Sequence, residues 1–586
     1  MIVRLGLIVN AWMLVSHAHA ADAPLPTTEI GGPEEWLRQP EGSSGTLAGG
    51  ATHGVEEFRF RFYQSQDDLP LFPGNPVLDY QEVVERLIVI GGNEKLSLGI
   101  QGDAVMLYSN AYRLDGNLTW ERDLAGPGLW SPTHDLWFGI EKIWMESRGK
   151  HAVIDVGDTY AAFGRGLALN LVKNSEIDVD TSLRGLKGVV TAGNVEVTVL
   201  TAVTNPQQVR LENPNVAMAA DLPSAVSGID VEYYGRLNLG AHGVLYQFAR
   251  ELDPTGNVLG AWENDVDAGV LGANLKANGV GPGLDFGVEA DWFHYAAPEM
   301  ALANGDLREG YALYASMAAY PGVASILVEG KWYKDTEYLN IFTGTEGFEV
   351  AAGPSLEYER TITEDSSAGL NSNDIKGARA RVDVSLMPGG NFVTPYVSVA
   401  AFRDDDLGGV HFNTVPETIV HPVAGWTLAA GETHATVNLG YRADFRDDAP
   451  ASNAGDTTLH GDVSLSFPIV GTVSGEVAPS LLRYHWGVNP VQQVDYTEFS
   501  AALAIKVGTP WAFIAYADFT DNDLIRSHGN VTDEWYGGGE VQWTPVPSTT
   551  LKAFYGAYRA GIRCAGGQCR SLPGFEGAKL ALTTNF

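Results

Sequence analysis

The chain has 586 residues, of which 72 are acidic and 37 are basic, so its formal net charge is -35 at pH 7. This charge argues strongly against nucleic-acid binding, which demands a basic surface. Beyond the amino terminus, no window of about 18 consecutive apolar residues could form a transmembrane helix. The 68 Gly, 23 Tyr, 22 Phe and 14 Trp residues favour strands, turns and aromatic girdles over helices.

The amino terminus has the layout of a secretory signal peptide. Arg4 precedes an apolar run from Leu5 to Val15, and Ala18-His19-Ala20 forms a small-residue cleavage site. The run is too short to span a membrane as a helix. We therefore predict a signal peptide over residues 1–20, with cleavage after Ala20.

Residues 21–54 are rich in Pro, Gly and Ser and have little capacity to fold alone. We expect them to form a flexible periplasmic extension. From Glu57 the sequence alternates, with Phe on one face of a strand and Arg59 and Arg61 on the other. A membrane barrel strand places apolar residues against lipid and polar residues in the lumen. The barrel is therefore predicted over residues 55–586.

This two-faced pattern recurs to the end of the chain. In residues 377–386, small apolar residues alternate with Arg379, Arg381 and Asp383. Similar alternation covers residues 195–203, 324–332, 434–446, 459–467, 497–507, 535–543 and 551–558. A packed sandwich core would not hold so many charged side chains without partners. The inner face is thus expected to line a polar or water-filled lumen, and a secreted lectin-like sandwich array is the alternative.

Short turn sequences divide the strands. We predict turns at 148–150, 192–194, 238–241, 279–283, 321–322, 388–390, 431–432, 469–471, 508–510 and 546–548, with another near 92–93. Successive turns mostly stand about 38 to 47 residues apart, which fits two strands of about 10 to 13 residues plus one longer connection. The predicted fold is all-β: a single closed antiparallel transmembrane β-barrel of roughly 24 strands (about 22 to 26), with short periplasmic turns and long extracellular loops.

Acidic runs such as Asp404–Asp406 and Asp447-Asp448 fall in the predicted long loops. Clustered carboxylates suit hard divalent cations, but no stretch matches the twelve-residue calcium loop. Solvated loop charge is the favoured interpretation, and no metal site is predicted.

Cys564 and Cys569 are the only two cysteines, and they lie in the sequence C-A-G-G-Q-C before the last strand. In an exported protein, an isolated close pair is most simply a disulfide. Gly566 and Gly567 allow the tight path, so a Cys564–Cys569 disulfide is predicted.

Some outer-membrane barrels are lipases or proteases. Such enzymes bring a nucleophile and a base within hydrogen-bond reach. His434 lies beside a short turn whereas His460 is expected at the loop end of its strand, so the two belong to opposite rims. Neither a G-x-S-x-G nor an H-E-x-x-H element occurs. We predict that the chain is not an enzyme and has no catalytic residue and no cofactor.

In the final stretch, Gly574–Phe586, successive residues fall on opposite faces of a strand, and the last residue is aromatic. The stretch resembles the closing strand of bacterial outer-membrane β-barrels, in which this pattern is read by the barrel-assembly machinery. By this resemblance, Phe586 is an assembly signal.

An internal series of motifs is less generic. It consists of G-D-x-Y at 157–160, F-G-R-G-L at 163–167 and D-x-S-L-R-G at 180–185. The series resembles an uncharacterised, porin-like group of bacterial outer-membrane β-barrels, classed as a domain of unknown function. The resemblance implies the barrel fold but brings no activity, substrate or catalytic residue.

Residues 163–185 are predicted to fold into the barrel, because several leucines there would be awkwardly exposed on an extracellular tip. An external loop packed on its neighbours is the alternative. Basic residues of this region should meet inward carboxylates through charge-assisted hydrogen bonds. The predicted lumen constriction comprises Arg165, Arg184, Lys187, Asp155 and Glu196.

The leading hypothesis for function is a porin-like channel or transporter for small hydrophilic solutes in the bacterial outer membrane. The alternative is a non-conducting surface receptor, adhesin or secretion-partner barrel that acts through its acidic extracellular loops. Expected partners are outer-membrane lipid and lipopolysaccharide, the barrel-assembly machinery and small hydrophilic solutes.

Overall fold

The computed structural model describes residues 51–65, 80–109, 136–171, 173–174, 179–204, 208–209, 218–219, 224–248, 266–280, 283–296, 309–336, 375–404, 416–446, 456–489, 492–521, 535–558, 561–565, 568–572 and 575–586. The predicted signal peptide and most of the predicted periplasmic extension lie outside these residues. No helix among the described residues is long and apolar enough to cross a membrane.

The wall of the molecule is a single sheet of 24 strands. They are β1 (Ala51–Ser65), β2 (Tyr80–Asn93), β3 (Leu96–Ser109), β4 (Leu136–Arg148), β5 (Ala152–Thr159), β6 (Leu183–Ala192), β7 (Val195–Thr204), β8 (Ser224–Tyr233), β9 (Asn238–Phe248), β10 (Val266–Ala277), β11 (Leu284–Ala296), β12 (Glu309–Ala319), β13 (Ala324–Lys334), β14 (Ile375–Val384), β15 (Phe392–Asp404), β16 (Glu417–Ala430), β17 (Thr433–Arg446), β18 (Asp456–Val470), β19 (Val473–Asn489), β20 (Gln492–Val507), β21 (Trp511–Thr520), β22 (Trp535–Val546), β23 (Thr549–Tyr558) and β24 (Phe575–Asn585).

Each strand pairs antiparallel with its neighbours in sequence, and β24 pairs with β1 to close the sheet. Closure leaves the sheet without an unpaired edge. The prediction of a closed antiparallel barrel of about 24 strands is therefore confirmed. Among the described residues, four short strand pairs lie outside the barrel sheet, at 162–163 with 169–170, 173–174 with 179–180, 208–209 with 218–219, and 561–565 with 568–572.

The two faces of the wall differ in chemistry, as the alternation predicted. Large apolar side chains such as Leu245, Leu271 and Trp332 are exposed on the outer face. Neighbouring inward positions hold buried polar residues such as His242 and Lys331. A closed barrel with an outward apolar band satisfies its backbone hydrogen bonds internally and presents hydrocarbon to lipid. The protein is a bacterial outer-membrane β-barrel.

Most predicted turns agree with the structure, but two are wrong in position. The turn expected at 238–241 lies at 234–237, where the Asn238 side chain accepts a hydrogen bond from the Gly235 N–H (3.1 Å) and β9 begins at once. The turn expected near 92–93 lies at 94–95, because the Asn93 side chain accepts the N–H groups of Lys95 (2.9 Å) and Leu96 (3.1 Å). In both turns the side-chain amide oxygen of an Asn accepts backbone N–H groups and so closes the turn, which glycine was expected to form.

The first and last strands meet at the periplasmic end. β1 begins at Ala51, four residues earlier than the predicted start of the barrel at residue 55. The Gly54 N–H donates to the Phe586 carbonyl (2.7 Å), and the Phe586 N–H donates to the Gly54 carbonyl (2.8 Å). The backbone of Phe586 therefore pairs with β1 and belongs to the barrel wall.

The predicted disulfide lies in the short hairpin between β23 and β24. The backbone register of this hairpin places Cys564 directly opposite Cys569. The described part of the structure does not include these side chains, so the disulfide stays a prediction.

Candidate functional site

The chain leaves the wall after β5 and forms an inner hairpin, which we define as residues 160–171. Its two short strands, Ala162–Phe163 and Leu169–Asn170, pair antiparallel around a tip at residues 164–168. The Gly166 N–H donates to the Phe163 carbonyl (2.9 Å), and the Leu171 N–H donates to the Ala161 carbonyl (2.7 Å). The hairpin is therefore a folded unit with its own hydrogen bonds.

The inner hairpin is buried against the inward face of the barrel. Phe163 is 1% exposed, and Ala168, Leu169 and Leu171 are fully buried. They share a single apolar cluster with inward side chains of β7 to β16, including Val226, Val244, Tyr246, Phe293, Tyr314, Tyr333, Phe402 and Ile419. This part of the 163–185 region lies inside the barrel, as predicted, and not in an external loop.

Polar contacts fix the tip of the inner hairpin near the middle of the barrel. The Arg165 backbone N–H donates to Glu289 Oε1 (2.9 Å), and the Arg165 guanidinium lies over the Tyr314 ring, 4.0 Å from its centroid. The Tyr246 hydroxyl donates to the Ala168 carbonyl. Gly164 has a φ of 61°, and a Cβ there would overlap the Glu289 carboxylate. Only glycine allows this approach without strain.

The departure of β5 leaves a gap in the wall beside β4. β5 pairs with β4 only through residues 153–157. Beyond them, Asp158 accepts the Ile143 N–H (2.7 Å), and Arg184 donates to the Glu141 carbonyl (2.7 Å). The Arg184 guanidinium also pairs with Asp158 (3.1 Å). Arg184, predicted in the lumen constriction, thus replaces missing strand hydrogen bonds in the wall.

The other predicted constriction residues lie in two places. Lys187 pairs with Asp155 (2.7 Å) and donates to the Tyr160 carbonyl (2.9 Å), so this pair holds the base of the inner hairpin. Glu196 instead accepts hydrogen bonds from Thr191 and Tyr234. The contact expected between Glu196 and the 163–185 region was wrong. Glu196 lies beside the periplasmic turn at 193–194, whereas the inner hairpin enters from the opposite end of β5.

Sequence alternation missed a charged cluster at β4. The pairing of β3 with β4 shifts at Gln101/Gly102, where Lys142 and Ile140 take consecutive partners and Glu141 is the extra residue of a β-bulge. Glu141 and Lys142 are consecutive and both are buried, at 2% and 3% exposure. Arg86 bridges Asp103 (2.8 Å) and Glu141 (3.0 Å).

Lys142 also reaches the segment that follows the inner hairpin. Its ammonium pairs with Asp180 and donates to the Tyr160 hydroxyl (2.8 Å). Burial by itself would raise the pKa of Asp180, but Lys142, Lys173 and the hydrogen bonds outweigh burial and lower that pKa to about 2. Asp180 therefore carries a negative charge at neutral pH and ties the segment to β4.

The opposite arc of the barrel is more open. Inward positions of β19 to β22, such as Ala502, Lys506, Ile514 and Gln542, are half-buried or exposed. They line a cavity of about 480 Å³ beside the periplasmic turn at 508–510. Lys506 and Glu476, whose side chains are 57% and 41% exposed, face each other there at 3.3 Å. Among the described residues, the inner hairpin packs against one side of the lumen, and the inward side chains on the opposite side stay partly exposed.

The contacts of Asp158 at this gap should contribute to the stability of the barrel. Asp158→Ala removes the acceptor of the Ile143 N–H and the partner of Arg184, and we expect it to lower the free energy of unfolding by about 1–3 kcal/mol. Urea unfolding in lipid bilayers measures this loss. Asp383→Ala is the matched control, because it breaks the Arg381 pair (2.7 Å) within a continuous part of the sheet. Equal losses for the two variants would contradict the bridging role of Asp158.

Comparisons with known proteins give only distant similarities. No family model matches the chain, and no curated protein matches it, so the family resemblance stays a prediction. The siderophore receptor PirA from Pseudomonas aeruginosa is similar over 91% of this chain and 80% of its own, with 9% identity and a TM-score of 0.43. The outer membrane protein opdK from Pseudomonas aeruginosa is similar over 72% of this chain and 98% of its own, with 13% identity and a TM-score of 0.36. OccAB3 from Acinetobacter baumannii is similar over 71% of this chain and 97% of its own, with 11% identity and a TM-score of 0.36.

Proposed function

We propose that the protein is a porin-like channel that passes small hydrophilic solutes across the outer membrane. The observation that carries this proposal is the asymmetry of the lumen. Inward positions of β9 to β13 are buried under the inner hairpin, whereas those of β19 to β22 remain accessible and line the cavity of about 480 Å³. A solute would pass along the accessible arc, beside the hairpin.

The chemistry of this arc suits hydrophilic solutes of either charge. Glu476 and Lys506 supply one charge of each sign, and Gln542 and Thr544 supply neutral hydrogen-bonding groups. Small alanines at 478, 502 and 504 leave space between them. Charged and polar groups at the wall replace part of the hydration shell of a solute as it enters.

Aromatic side chains lie nearer the extracellular end of this arc, on β19 and β20, and of the adjoining strands β23 and β24. Tyr484 and Tyr496 are 4.8 Å apart between ring centroids, and Tyr558 stacks on Phe575 at 5.3 Å. Lys579 lies over both the Tyr558 and Phe575 rings, 4.3 Å from each centroid. In the proposed channel these rings would limit the width available to a solute, so the channel is expected to select for small solutes.

Planar-bilayer recording tests the proposal. We expect purified protein to give stable conductance steps in salt solution, and liposome swelling to slow as the mass of the test sugar rises. A silent bilayer, with folded protein confirmed by heat-modifiable migration, would overturn the channel. Silence together with capture of a partner by the extracellular loops would instead support a receptor, adhesin or secretion-partner barrel.

Charge reversal at the hairpin tip should alter ion selectivity. Arg165→Glu replaces the cation over Tyr314 with an anion inside the lumen, and we expect the cation-to-anion permeability ratio to rise about twofold or more. The reversal potential across a salt gradient measures this ratio. Arg148→Glu makes the same change on a side chain that is 61% exposed at the periplasmic turn, and should have a smaller effect.

Accessibility gives a second measurement at the same position. Arg165 is exposed toward the lumen, so Arg165→Cys should react with a small impermeant thiol reagent only after the reagent enters the channel, and the reaction should lower the conductance. Rapid labelling with unchanged conductance would place Arg165 outside the passage.

A further inference from the structure

A cluster of titratable side chains lies beneath the tip of the inner hairpin, apart from the accessible arc. His242, Glu289 and Asp291 are 4%, 1% and 3% exposed. Each offers one possible ligand atom, and these three atoms all lie within 4.8 Å of one another. His242 Nε2 lies 2.6 Å from Asp291 Oδ1.

The barrel register explains how residues distant in sequence meet here. Asp230 of β8 pairs with His242 of β9, His242 pairs with Gly272 of β10, and Gly272 pairs with Asp291 of β11. The four positions form one row across four strands. A Cβ on Gly272 would overlap both the His242 ring and the Asp291 carboxylate, so this glycine lets them approach each other over the intervening strand.

Within the part of the chain that the structure describes, four polar atoms of the cluster have no hydrogen-bond partner. They are Glu289 Oε2, Asp291 Oδ2, His242 Nδ1 and Asp230 Oδ1. A buried carboxylate is costly unless it is paired or coordinates a metal. Arg165 is a nearby cation, but its guanidinium lies over the Tyr314 ring. Its backbone N–H donates to Glu289 Oε1 and not to Oε2. Carboxyl and imidazole groups with unused polar atoms therefore converge on one small volume.

We infer that His242, Glu289 and Asp291 bind a divalent transition-metal ion, which links β9 to β11 beneath the tip of the inner hairpin, where Glu289 also accepts the Arg165 N–H. One imidazole and two carboxylates suit zinc or iron(II) better than calcium or magnesium, which favour all-oxygen sites. Asp230 Oδ1 lies 3.8 Å from His242 Nδ1. When Nε2 binds the metal, Nδ1 carries the proton, and a small approach of Asp230 would let it accept that proton in the outer-shell hydrogen bond typical of metal-bound histidine.

Zinc binding to the full-length barrel tests the site. Protein purified with a chelator and then freed of it is titrated with Zn²⁺ by calorimetry, and zinc per chain is counted by mass spectrometry. We expect one zinc ion per chain and much weaker binding of Ca²⁺ and Mg²⁺. His242→Ala and the isosteric Asp291→Asn should each weaken zinc binding by about 100-fold or more, and Asp230→Asn by about 10-fold.

Two controls separate the site from folding and from other histidines. His421→Ala alters a different buried histidine, which lies 2.8 Å from His460, and should leave zinc binding unchanged. Heat-modifiable migration identifies the variants that fold, and Co²⁺ absorption bands that disappear in Asp291→Asn give a second readout. Absence of zinc from the wild-type protein, or equal zinc binding by folded Asp291→Asn, would overturn the site. These measurements use detergent-solubilised protein, so their outcome is independent of whether the barrel conducts.

Discussion

Removal of the inner hairpin should raise single-channel conductance by about two- to fivefold, because it opens the filled side of the lumen. The variant replaces residues 161–171 with a short Gly-Ser linker. The wall should survive, since each barrel strand keeps its antiparallel neighbours. Conductance steps in planar bilayers and swelling rates with larger sugars measure the change, and larger sugars should enter that the wild-type protein excludes.

Two further variants sharpen this test. Gly164→Val places a branched side chain where a Cβ already overlaps Glu289, at a φ of 61°, so the tip should lift from the wall and conductance should fluctuate. Replacement of residues 561–572 by the same linker removes a different hairpin, which forms its own two-stranded sheet, and should leave conductance near the wild-type value. Equal conductance in the wild-type protein and the 161–171 variant would refute an obstructing hairpin.

The barrel could be predicted from the sequence because every wall residue faces one of two solvents. Arg379 and Arg381 alternate with small apolar residues in β14. This period of two can be recognised in the sequence of one strand alone, without knowing which strand pairs with it. Two turns were misplaced because Asn93 and Asn238 close them with side-chain hydrogen bonds, for which glycine spacing gives no signal.

The candidate sites depend on strand register and on the path of the inner hairpin, and the alternation of apolar and polar residues predicts neither. Arg165 and Glu289 are 124 residues apart, and their contact requires both the inward path of the hairpin and the register of β11. The bulge at Glu141 breaks alternation, so Lys142 was assigned to no site. Asp291 was likewise assigned to no site, because only the pairing across β9 to β11 places it against His242.

The largest effect on assembly should follow from loss of the last residue. Deletion of Phe586 removes both backbone hydrogen bonds to Gly54, each worth about 0.5–1.5 kcal/mol, at the seam where β24 meets β1. It also removes the ring that lies over Gly54, where a Cβ would overlap the Phe586 side chain. An aromatic ring over a strand glycine covers backbone that would otherwise be exposed. We expect a several-fold fall in the heat-modifiable, folded fraction at the cell surface.

Substitution separates the contribution of the ring from that of the backbone. Phe586→Ala keeps the two hydrogen bonds and removes only the ring, so its folded fraction should lie between those of the wild-type protein and the deletion. Phe586→Tyr keeps an aromatic ring over Gly54 and should assemble normally. If Phe586→Ala fails as completely as the deletion, the aromatic side chain decides assembly and the seam hydrogen bonds add little. Wild-type surface levels and heat-modifiable migration after deletion would show that β1 and β24 close the barrel without Phe586.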